Sequence, residues 1–166
     1  MSAPIFRTAP RRRVAAACAA LVALAGCGTA SPKGGAHAQL ERACRHAAEY
    51  DHRIALGLKA AEEAKLSGNA SVPRAIVEKI GEPAGESASA WTGASEAARM
   101  LGKEDLARLA GRVAEDYGEV QFDLSPEGGG YETTRRLLIQ GSVAAQEFAA
   151  AAKAAGFAAC AEAGAG

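Results

Sequence analysis

Aromatic side chains are scarce in this chain, at 5% of its 166 residues with a single tryptophan. A core built mainly of small aliphatic residues lets helices approach closely and leaves little room for a large cavity. Long apolar runs are missing too. The longest candidate, Val14 to Ala25, falls short of the roughly 20 residues that a membrane-spanning helix needs. No stretch sustains the alternation of a half-buried strand. No Gly-x-Ser-x-Gly occurs, and Gly128-Gly129-Gly130 is not followed by the Lys-Ser/Thr of a phosphate loop. No Ser/His/Asp set stands out either, so nucleophilic catalysis has no visible base beside a nucleophile. Histidine is confined to His37, His46 and His52. Together these absences point to an all-α, non-catalytic domain, with no cofactor expected.

What is present begins at the N-terminus. Arg7 and Arg11-Arg12-Arg13 precede the apolar run, and Leu24-Ala25-Gly26-Cys27 closes it. Basic region, short apolar core and small residues, in that order, are the layout of an export signal. The four closing residues resemble the lipobox of bacterial lipoproteins. That resemblance implies cleavage before Cys27, a diacylglyceryl group on the Cys27 thiol, and anchoring in a membrane by lipid rather than by protein. Stable anchoring takes two acyl chains or more, which a diacylated cysteine meets. Cys18 fits the pattern worse, since Ala15-Ala16-Ala17 lacks the large apolar residue. An ordinary secretory signal with an incidental cysteine is the plainer alternative. Arg11-Arg12-Arg13 leaves the twin-arginine route open beside the general one.

The expected division is a signal peptide over 1–26, a lipidated cysteine and flexible tether over 27–35, and a helical domain over 36–166. The domain would face outward from the cell membrane. Removing 1–26 takes four of the 19 basic residues and none of the 19 acidic ones, leaving a net charge of −4. Nucleic acid, which needs clustered Lys and Arg, is therefore not an expected partner. After lipidation of Cys27, Cys44 and Cys160 remain. In an oxidising compartment the default is one disulfide between them.

Apolar residues recur at helical spacing in four regions. The first predicted helix runs from about His37 to Leu66, with Leu40, Cys44, Ala47, Ile54, Leu58 and Ala61 on its stripe. The second spans about Val72 to Leu101, kinked or split near Pro83, because proline removes a backbone donor and disfavours helix just before itself. It carries Trp91, Ala94 and Ala98, and Gly102 ends it. Glu104 and Asp105 open the third, where acidic residues suit the helix dipole. Leu106, Leu109, Val113, Tyr117 and Val120 form its stripe. The fourth runs from about Tyr131 to Ala155, packs through Leu137, Leu138, Gly141, Ala144, Ala145, Phe148 and Ala152, and is capped by Gly156. The fold expected is an up-down four-helix bundle stapled by one disulfide. In that topology the fourth helix ends beside the start of the first, where Cys44 and Cys160 would meet.

Cys44, together with Gly156-Phe157-Ala158-Ala159-Cys160, resembles features of small all-helical lipoproteins of actinobacteria. The resemblance implies fold and compartment and carries no assigned activity. Other chemistry is sparse. Glu49 and His52 form the one metal-like spacing, Glu-x-x-His, but a di-iron bundle uses two such motifs. The expectation is therefore no metal site, with Glu49 instead paired to Arg53. Asp51 falls on the apolar stripe of the first helix. It is expected at the stripe's rim, the alternative being burial against Arg135 or Arg136. Trp91, Tyr117, Tyr131, Phe122 and Phe148 are read as core filling rather than as a pocket. The functional expectation is an envelope lipoprotein with a binding or structural domain and an envelope protein as possible partner. The alternative is a carrier of haem, lipid or metal between helices.

Overall fold

The structure is a computed structural model that describes residues 32–66, 74–123 and 131–163. The signal sequence, Cys27 and most of the expected tether lie outside the described residues, as does the side chain of Phe122. Among the described residues the fold is all-α, with no strand. Four long helices, α1 (Pro32–Leu66), α2 (Arg74–Met100), α3 (Glu104–Asp123) and α4 (Tyr131–Ala154), are followed by a short α5 (Ala158–Glu162). Each long helix packs on the next in chain order, and α5 packs on both α4 and α1.

One boundary differs from expectation. Helix α1 begins at Pro32 rather than His37. Proline suits a first helical turn, whose N–H groups have no intrahelical partner, and Lys33-Gly34-Gly35 thereby joins the helix instead of the tether. Of the two alternatives at Pro83 the split is not found: α2 runs through that residue as one helix. The backbone bond lost there is offset by packing, for Ile80, Pro83, Ala84 and Ser87 are all buried. The two predicted glycine stops are found. Gly102 and Gly156 both have positive φ, at 68° and 84°. The N–H of Lys103 reaches the Ala98 carbonyl and that of Phe157 the Ala152 carbonyl, each at 2.9 Å. These six-to-one bonds close both helices in Schellman fashion.

The core follows the predicted stripes. Trp91 and Phe148 are fully buried and meet edge to face at 4.9 Å, the geometry the ring quadrupoles favour. Ser95 spans α2 and α3 by donating its hydroxyl to the Ala107 carbonyl at 2.7 Å. Small residues set the interhelical distances. A Cβ on Gly57 would lie 2.8 Å from Ile80 Cγ1, and one on Gly141 would lie 2.6 Å from Tyr117 Cδ1. Cys44 and Cys160 are joined in a disulfide, with Cα atoms 5.0 Å apart and neither residue exposed.

Candidate functional site

The ends of α1 and α4 are held together by different means. At the end carrying the last turn of α1, Glu62 accepts hydrogen bonds from Arg135 Nε at 3.1 Å and Tyr131 Oη at 3.3 Å. Lys65 pairs with Glu132 and lies over the Tyr131 ring, 4.5 Å from its centroid. Lys65 holds the Glu132 carboxyl below its usual range, while burial and the Glu62 charge push the Tyr131 phenol up. At the other end the link runs through α5 and the disulfide. Between these ties the backbones of α1 and α4 do not pack closely. A partly open cavity of about 80 Å³ occupies the gap.

Asp51 lines this cavity, with Ile54 and Leu58 of α1, Tyr117 of α3 and Leu138 and Ser142 of α4. The alternation that places Ile54 and Leu58 inward carries Asp51 with them. Asp51 is half-buried, and neither Arg135 nor Arg136 pairs with it. Arg135 is engaged by Glu62. The fully buried Ser87 of α2 instead donates its hydroxyl to Asp51 Oδ1 at 2.5 Å. The Trp91 indole N–H lies near enough to favour the charged carboxylate but falls short of a formed hydrogen bond. Burial outweighs both donors and raises the carboxyl from 3.8 to about 6. Burial also pushes the neighbouring Tyr117 phenol up, and the Asp51 charge adds to that effect. The rim position expected for Asp51 thus gives way to a carboxylate turned toward the interior. Helical periodicity located it on the stripe, but Ser87, its partner, lies on another helix and left no signal in the spacing.

The other candidates disperse. Glu49 and His52 are exposed, and no group of three His, Cys, Asp or Glu side chains able to hold a metal gathers among the described residues. Glu49 forms no ion pair with Arg53 among the described residues; the Arg53 guanidinium lies over the Tyr50 ring, 5.6 Å from its centroid. His37 packs against Phe157 at 5.1 Å. His46 lines a shallow surface groove between α1 and α2 with Tyr50 and Gly93. No helix of the described residues is long and apolar enough to cross a membrane. Comparison with protein-family models, curated proteins and solved structures finds no match to this chain.

Proposed function

We propose that this chain is a cell-envelope lipoprotein, exported, cut before Cys27 and held at the membrane by lipid on that cysteine. Its domain is an up-down four-helix bundle, with α2 bent at Pro83, serving as a binding or structural module toward an envelope protein. The observation that carries the reading is the order of basic residues, short apolar core and Leu24-Ala25-Gly26-Cys27. A buried Cys44–Cys160 disulfide supports an oxidising compartment. Chain-order packing, with the end of α1 tied to the start of α4, supports the up-down topology.

The carrier reading draws support from the slot at Asp51, but not for a large ligand. Pockets for drug-sized ligands run to roughly 300–1,000 Å³, whereas this cavity is about 80 Å³. Trp91 and Phe148 meanwhile fill the bundle centre. Among the described residues the bundle centre therefore has no space for haem or an acyl chain.

Fractionation of the bacterial host, with mass spectrometry of the N-terminal peptide, tests the leading reading. The native chain should sediment with membranes and begin at a Cys27 bearing diacylglyceryl mass. A Cys27→Ser chain should not acquire that lipid. A native chain that is cut elsewhere, or that carries an unmodified Cys27, would sink the proposal.

A further inference from the structure

The slot between α1 and α4 contains a carboxylate without a counter-ion. The two groups turned to Asp51 from α2, Ser87 and Trp91, are neutral donors. Helix α3 contributes the Tyr117 phenol, with the Asp116 carboxyl beyond it. Helix α4 contributes Leu138, Ser142 and Ala145, and Ala163 closes the rim; none of these ionises. No Lys or Arg acts on the Asp51 carboxyl; on the facing helices Arg135 pairs with Glu62 and Arg112 with Glu147. A carboxylate withdrawn from water is costly unless it is paired, and here a partly open cavity of about 80 Å³ lies beside it.

We propose that this slot binds a small organic cation, a primary alkylammonium of a few carbons, with Asp51 as its counter-ion and the Tyr117 ring as one wall. The lining selects this class. A hard metal ion takes about six or more oxygen ligands, whereas the slot offers one carboxylate and hydroxyls. Its remaining walls, Ile54, Leu58, Leu138 and Ala145, are aliphatic and suit a short alkyl chain. An ammonium near the Tyr117 ring also gains from the ring's quadrupole. The small volume excludes long or branched chains. This inference does not rest on Cys27 or on envelope localisation, and either can fail alone.

Trp91 is the chain's single tryptophan and lies beside Asp51, so its fluorescence reports on the slot directly. The full chain is titrated with propylammonium chloride at pH 7.5 in an amine-free buffer. Propanol, sodium chloride and magnesium chloride serve as controls. A saturable change is expected with propylammonium and with none of the controls. At pH 5 the apparent affinity should fall about tenfold, because Asp51 must first lose its proton. Asp51→Asn should abolish the response, and so should Ala145→Leu, which fills the slot while leaving the carboxylate in place. No saturable response at pH 7.5, an equal response to sodium or magnesium, or an unchanged response in either folded variant overturns the assignment.

Discussion

Replacing Asp51 with asparagine removes one charge and little else. In the native chain burial raises the Asp51 carboxyl from 3.8 to about 6, a difference worth about 3 kcal/mol in favour of the neutral form. Because the folded value lies above the unfolded one, the native state binds the proton more tightly. The associated stability is therefore fully present below about pH 4 and is lost as pH rises through about 6. Above pH 7 the folded chain bears the whole cost of a charged Asp51. Part of the residue still meets water, which makes about 3 kcal/mol an upper bound. Asparagine has no such cost, and its amide oxygen still accepts from Ser87. Urea unfolding of both proteins in amine-free buffer, at pH values from 4 to 8, gives the difference in stability. Asp51→Asn should gain on the native chain by up to about 2.5 kcal/mol between pH 4 and pH 7.5, with most of the change between pH 4 and pH 6 and a plateau above about pH 7. Carboxylates elsewhere, Glu132 among them, titrate alike in both proteins and cancel in the difference. A gap that stays constant across this range would falsify the assignment of Asp51 to the interior.

Three other perturbations test the packing. The Cys44–Cys160 bridge spans 116 residues, and chain entropy puts its contribution near 5 kcal/mol at most; Cys44→Ala with Cys160→Ala should lower the urea midpoint by an amount equivalent to about 2–5 kcal/mol. Gly141→Ala would drive a methyl into the Tyr117 ring, so a loss of about 1–3 kcal/mol is expected despite alanine's better helix propensity, and recovery in the double variant with Tyr117→Ala would identify the clash as the cause. Gly156→Ala forces a side chain onto a φ of 84° and should cost about 1 kcal/mol by thermal unfolding, whereas Gly34→Ala, with nothing near its Cβ position, should be neutral or stabilising.

Much of the fold is legible in spacing alone. The stripes of α3 and α4 are buried residue for residue as the periodicity predicts, from Leu106 to Val120 and from Leu137 to Ala152, because in amphipathic helices burial is written into the sequence itself. Gly102 and Gly156 were readable for a similar reason: a positive φ is a local demand that glycine meets. Pro83 left the choice between a kink and a split open, since the local rule weighs a lost backbone bond and cannot weigh the burial of Ile80 and Ser87 on either side. Gly57 passed unnoticed, for its role is to admit Ile80 of a different helix. The slot was illegible for the same kind of reason. It exists because two helices stand apart, and no single helix encodes that distance.

The position of the disulfide also has a mechanical consequence. Cys44 lies in the early turns of α1 and Cys160 near the last described residue, so nearly all of the helical domain sits within one covalent ring. Tension applied between the two chain ends passes through the sulfur–sulfur bond from Cys44 to Cys160. It bypasses α2, α3 and α4. Among the described residues, only the first turns of α1 and those after Cys160 carry load. The domain can be pulled at its ends without being unravelled, and reduction of one bond removes that protection.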